Sequence, residues 1–226
     1  MKFVAALAAL IVLAFPPLVL ADDIGIKIDV GGLLTVQRSV APTSQDPGYP
    51  RPGVGGTSLG VVVGLDVHVG PTVDVGVEWS EPARFDAVQT TGGAGGLSKI
   101  DNEHRDRIVS ALVHLHPQKR GARVRMEAVF GPSFVWESTI QQRAYAPPLS
   151  NGPFGSFYPE PDIDRMAFGL TGGVDLDIAV TRHVSIVPQV RVVWISRDGP
   201  PSEDASALLG LDAWALRPAM ALRLTF

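Results

Sequence analysis

The sequence predicts an all-β fold: eight antiparallel strands closed into an up-and-down transmembrane barrel, with short turns at one end and four long loops at the other. Three observations carry that expectation. Apolar and polar residues alternate with period two in eight separate stretches. Short and long connections alternate strictly between those stretches. All four tryptophans fall on the apolar phase, each beside a long connection.

Composition sets the limits. The 226 residues carry 19 basic and 23 acidic side chains, a net charge of −4. Without a basic excess, no nucleic-acid partner is expected. There is no cysteine, which excludes disulfides, thiolate metal sites, cysteine nucleophiles and lipid-modified cysteine anchors. The 24 glycines and 19 prolines suit strands joined by turns.

The first residues read as an export signal. Lys2 precedes the apolar stretch Phe3 to Leu20, and small Ala21 stands just before Asp22-Asp23. This pattern predicts a secretory signal peptide over residues 1–21, cleaved after Ala21. Pro16-Pro17 and the acidic pair favour cleavage over a membrane-spanning helix. Residues 22–226 then form the barrel domain.

A strand sends successive side chains to opposite faces, so each alternating stretch separates into two sides. Strand one sets Ile24, Ile26, Ile28, Val30, Leu34 and Val36 against Lys27, Asp29, Thr35 and Gln37. Strand two sets Leu59, Val61, Val63, Leu65, Val67 and Val69 against Asp66 and His68. In strand three Val73, Val75, Val77 and Trp79 oppose Asp74 and Glu78. In strand four Val109, Ala111, Val113 and Leu115 oppose Ser110, His114 and His116. Strand five sets Val124, Met126, Ala128, Phe130, Pro132, Phe134 and Trp136 against Arg123, Arg125, Glu127, Ser133 and Glu137. Strand six sets Phe168, Leu170, Val174, Leu176, Ile178 and Val180 against Asp175 and Asp177. Strand seven has Val184, Ile186, Pro188, Val190, Val192 and Trp194 opposite Ser185, Gln189 and Arg191. Strand eight has Trp214, Leu216, Pro218, Met220, Leu222, Leu224 and Phe226 opposite Arg217, Arg223 and Thr225. No apolar face carries a charged residue. Pro132, Pro188 and Pro218 each lack a ladder donor, so bulges, or donor positions that would go unpaired anyway, are expected there.

A soluble barrel would show the same alternation turned inside out, so the direction of the apolar face rests on other signals. Joins near Gly70 to Thr72, Pro117 to Gly121 and Thr181 to His183 are short. Those at Ser39 to Ser58, Phe85 to Asp106, Ser138 to Arg165 and Ser196 to Leu211 are long. Transmembrane barrels alternate in this way, with short periplasmic turns and longer outer loops. Trp79, Trp136, Trp194 and Trp214 all lie at the long-loop ends, as an interfacial aromatic girdle requires. The apolar face is therefore read as facing lipid. The charges are enclosed as a polar network of Lys27, Asp29, Asp66, His68, Asp74, Glu78, His114, His116, Arg123, Arg125, Glu127, Asp175, Asp177, Arg191, Arg217 and Arg223.

The stretch from Trp214 ends on Phe226, with Leu224, Leu222 and Met220 spaced by two before it. This resembles the C-terminal strand of Gram-negative outer-membrane barrels. With the signal peptide and eight strands, the chain resembles the OmpA/OmpX-type small outer-membrane β-barrel family. The resemblance implies that Met220, Leu222, Leu224 and Phe226 act as the signal read by the barrel-assembly machinery. It implies a bacterial outer-membrane location with lipid as a partner. No separate peptidoglycan-binding domain is expected after the barrel.

Candidate sites remain. Eight strands leave an interior that side chains just fill, which favours a salt-bridged plug over a channel. His68, His114 and His116 share the inward phase, and with Asp74 or Glu78 they offer a nitrogen-and-oxygen ligand set. But strand two is not adjacent to strand four, so a hydrogen-bonded polar layer is expected, with no metal and no cofactor. His183-Val184-Ser185 has a catalytic look, yet it sits at a short turn, away from an outer-leaflet substrate. His104, with Ser98 and Asp101 near it in sequence, is assigned to a loop. The glycine run Gly92 to Gly96 lacks the lysine of a phosphate loop and is expected to be flexible. Tyr49, Tyr145, Phe154, Phe157 and Tyr158 fall in long loops, and the last four are the candidates for binding an extracellular surface ligand. The leading expectation is a non-enzymatic protein with a structural or surface-interaction role. A narrow low-conductance channel for small solutes is second, and an outer-membrane lipid-modifying enzyme third.

Overall fold

The computed structural model of the chain describes residues 25–39, 56–82, 85–93, 96–118, 122–146, 158–159, 163–196 and 211–226. The signal-peptide reading therefore lies outside the described residues, as do Tyr49, Phe154 and Phe157.

The strands are β1 (Ile26–Ser39), β2 (Gly56–Gly70), β3 (Val73–Pro82), β4 (Phe85–Gly93), β5 (Gly96–Leu115), β6 (Val124–Ala146), β7 (Tyr158–Pro159), β8 (Ile163–Ala179), β9 (Val184–Ile195) and β10 (Leu211–Thr225). Eight of them (β1, β2, β3, β5, β6, β8, β9 and β10) pair antiparallel with a neighbour on each side. The β5–β6 and β1–β10 pairings complete the ring. At the seam the Phe226 N–H donates to the Ile26 carbonyl at 2.9 Å. The fold is a closed eight-stranded antiparallel barrel, as the alternation predicts.

The phases also fall as read. Val30, Leu59, Phe130, Leu170, Met220 and Leu222 are exposed on the outside, where Phe134 and Phe168 make an edge-to-face pair. A soluble monomer rarely exposes an apolar surface larger than a few hundred Å², and this one runs round the whole barrel. Trp136 and Trp214 are exposed, and Trp79 and Trp194 half-exposed, on that surface. Trp214 pairs directly with Trp194.

Three features refine or correct the sequence expectation. The join Phe85 to Asp106 is not a loop. β4 pairs with the first half of β5, Gly93 meets Gly96 across the tip, and β6 follows β5 as far as Leu97↔Ala146. β4 and β5 therefore lie side by side as an antiparallel pair, and Ala94 and Gly95 of the glycine run lie outside the described residues. A membrane-spanning strand needs about 9–11 residues, whereas β5 has 20 and β6 has 23. The excess projects as a sheet beyond the tryptophan level. Tyr145 accordingly lies in β6, opposite Ser98, and Tyr158 in β7, opposite Arg143; neither is a loop residue.

Second, of the two expectations for the prolines, the unpaired donor position is the one found: none causes a register shift. Pro132 leaves a gap in the β5–β6 ladder, yet Ser110↔Ser133 and Val113↔Phe130 keep one register on either side of it. Pro188 does the same toward β8, and Pro218 toward β1. Each missing N–H falls where the ladder is interrupted on one side only. Third, the interior is partly apolar. Leu33, Val62, Leu112, Val129 and Val187 are buried inside, and Ile108, Val135, Ala167, Val193 and Ile195 pack together toward the long-loop end. Inward glycines stand where neighbouring strands leave no space for a side chain. A Cβ on Gly131 would run into the Ala111 carbonyl, and one on Gly173 would lie 2.9 Å from the Arg191 Cδ.

Candidate functional site

The alternation of β1, β2, β3, β5, β6, β8, β9 and β10 turns one side chain in two into the lumen, so the site is the barrel interior. Nearest the short turns, Arg223 is fully buried. Its guanidinium donates to both carboxylate oxygens of Asp29 at 2.8 Å, to Glu127 at 3.0 Å and to Asp177 at 3.2 Å. Arg125 donates to Asp177 at 2.6 Å. Lys27 bridges Asp74 and Glu127. His114 sits between Asp66, 3.3 Å from its Nε2, and Glu127, 3.4 Å from its Nδ1. Midway up, Arg191 pairs with Asp175 and donates to Glu78 at 3.0 Å. Higher still, Arg217 donates to Ser80 at 2.7 Å and to Asp106 at 3.3 Å.

Of the expected polar network, His68 and His116 included, every member but one turns to the lumen. Arg123 is exposed in the short turn before β6 begins, so it is not a lumen residue. The alternation does not extend past the end of the strand. Two further residues, His104 and Asp106, belong to the lumen although their segment reads as a loop in the sequence. Both are buried inside, with His104 Nε2 3.9 Å from Asp106 Oδ1. Glu137 is buried inside as expected.

Charge does not balance on fixed ions alone. Among the described residues Lys27, Arg125, Arg191, Arg217 and Arg223 face Asp29, Asp66, Asp74, Glu78, Asp106, Glu127, Glu137, Asp175 and Asp177. Carboxylates outnumber cations, and His68, His104, His114 and His116 occupy the space between them. A buried ion is tolerated only when paired and hydrogen-bonded, so the arrangement acts as a mutual lock.

A neutral layer lies across the middle. Ser110 and Ser133 hydroxyls are 2.8 Å apart, and Thr171 stands 2.6 Å from Ser133 and 3.2 Å from Ser110. Ser133→Ala is expected to destabilise the barrel by about 1 kcal/mol, since two hydroxyls lose a partner in a buried place. Urea unfolding in detergent micelles, followed by tryptophan emission, checks it.

The catalytic-looking pair separates. His183 is exposed at the turn, with Nδ1 3.0 Å from the Thr225 carbonyl, whereas Ser185 is buried in the lumen. By contrast, His68 and His116 come together: their rings stack with centroids 6.0 Å apart, across the intervening strand β3. The sequence expectation, that non-adjacent strands keep them apart, does not hold. In a narrow barrel, side chains from strands on either side of a third reach the same point.

A closed antiparallel barrel with lipid-facing apolar residues and an ion-filled interior defines the class: a small eight-stranded transmembrane β-barrel. Solved structures agree. A major outer membrane protein from Thermus thermophilus matches with a TM-score of 0.58 and 14% identity, covering 91% of this chain and 100% of that one. The attachment invasion locus protein Ail of Yersinia pestis, solved with the heparin analogue sucrose octasulfate, matches with a TM-score of 0.50 and 12% identity, covering 91% and 100%. No protein-family model and no curated protein matches the sequence. The fold is that of small outer-membrane barrels, consistent with the OmpA/OmpX-type resemblance.

Proposed function

We propose that this chain is a non-enzymatic protein of a bacterial outer membrane, exported by a cleaved signal peptide, whose sealed barrel carries a projecting sheet for contact with other surfaces. The observation that carries this reading is the packing of the lumen. Arg217, Arg223, Glu127, Asp175, Val135 and Ile195 are each buried to 2% exposure or less. Ion pairs at one end and an apolar cluster at the other fill the cross-section, which supports a plug over a channel.

Outward, β4, β5, β6 and β7 place Tyr145 and Tyr158 on a hydrogen-bonded ladder above the tryptophan level. Aromatics held on such a scaffold suit a partner surface. Phe154 and Phe157 are the further candidates for an extracellular ligand. At the other end Met220, Leu222, Leu224 and Phe226 all point outward and are exposed. Recognition by the assembly machinery needs that geometry before lipid covers them. The separation of His183 from Ser185 supports the non-enzymatic reading.

Planar-bilayer recording from pure, refolded protein is the test. The expected trace shows no discrete openings. Steady, uniform openings would replace this reading with a low-conductance channel.

A further inference from the structure

We propose that His68, Asp74 and His116 form a binding site for a divalent transition metal of the zinc class at the short-turn mouth of the lumen. Three adjacent strands deliver the residues. His68 and Asp74 are a cross-strand pair of the β2–β3 hairpin. β3 pairs with β5 through Val73↔Leu115, which sets His116 beside them. Backbone bonds hold both histidines. The His68 N–H donates to the Gly25 carbonyl and the His116 N–H to the Thr72 carbonyl, each at 3.0 Å.

The donor atoms converge. His68 Nδ1 lies 2.5 Å from Asp74 Oδ1, and His116 Nε2 lies 3.5 Å from Asp74 Oδ2. One donor atom from each residue lies within 4.8 Å of the others. Metal–ligand bonds of about 2.0–2.1 Å in a tetrahedron set ligand atoms roughly 3.3 Å apart. Closing on one ion therefore asks the side chains to shift by about 1.5 Å at most.

A second observation points the same way. His116 is buried, and neither of its ring nitrogens makes a hydrogen bond. Leaving a buried polar atom without a hydrogen bond is costly; Nε2 has only its 3.5 Å contact with Asp74, and an ion there would bond to both. Two imidazole nitrogens and a carboxylate suit zinc and its neighbours; magnesium and calcium prefer all-oxygen sets. The lumen's excess of carboxylates favours an added cation. His68 is only partly buried, which gives the ion a way in.

Lys27 also holds Asp74, but its ammonium lies 3.2 Å from Glu127 as well, so it keeps a partner when Asp74 turns to a metal. The neighbouring trio His114, Glu127 and Asp175 is different. Arg223 already stands 3.0 Å from Glu127 and 3.7 Å from Asp175, in the place a cation would take.

The test uses the refolded full barrel in detergent, titrated with zinc chloride by calorimetry and with cobalt chloride by visible absorption. One ion per barrel is expected, with the intense visible bands of tetrahedral cobalt. His68→Ala and His116→Ala should each weaken zinc binding by more than about a hundredfold, beyond the usual effect of losing an outer-shell partner. His183→Ala, at the exposed turn, should leave it unchanged. The proposal is overturned by an absence of saturable zinc binding to the wild type, by equal binding of magnesium, or by unchanged affinity in His68→Ala. Because His68 is partly exposed, that variant decides the matter even where His116→Ala does not fold.

Discussion

Arg223→Ala is expected to cost the barrel about 3–5 kcal/mol, the range for removing one partner from a buried ion network. Arg223 is 0% exposed and joins Asp29, Glu127 and Asp177 from three other strands. Without the guanidinium those carboxylates stay enclosed with fewer cations among them. Arg223→Lys keeps the charge but loses the two-pronged grip on Asp29, so a smaller loss is expected from it. The measurement is urea unfolding in lipid vesicles, read by tryptophan emission and by folded-state gel mobility. A loss below about 1 kcal/mol would mean the network is worth no more than a solvated surface pair.

Val190→Arg is the second large effect, at about 2–4 kcal/mol destabilising if Val190 faces the centre of a bilayer. Val190 is 44% exposed and lies halfway along β9, opposite Val174 and Pro218. On a water-soluble protein the same change would stay within about 0.5 kcal/mol of neutral. Met166→Arg is the companion measurement. Met166 is exposed too, but it pairs with Trp136 at the girdle, where an arginine should cost only about 0–1 kcal/mol. Equal effects at the two positions would remove the case for a lipid-facing belt.

The strand number and the inward phase are legible in the sequence because a membrane imposes a strict local rule. Lipid on one side and ions on the other make the alternation in Val184 to Trp194 unambiguous. Where both faces are apolar the rule says less. Val61-Val62-Val63 and Val192-Val193 hide a buried valine beside lipid-facing neighbours, so the apolar part of the lumen leaves no mark in the pattern. Beyond the bilayer the rule lapses altogether. Leu97 to Glu103 of β5 is largely polar in sequence, since a strand in water needs no greasy side, and the whole stretch up to Asp106 reads as a loop. His104 and Asp106 are hidden with it. The His68–His116 stack is illegible for another reason: it depends on how narrow the ring is, which no single strand encodes.

β5 runs unbroken from the ion-paired end of the lumen to the tip of the projecting sheet, bonded to β6 along nearly its whole length. Ladder hydrogen bonds lie across the strand axis. A tug on the tip along that axis would therefore strain many of them at once in shear, where peeling a loop would break them singly. The projection is a mast that passes force straight down into the barrel wall below it.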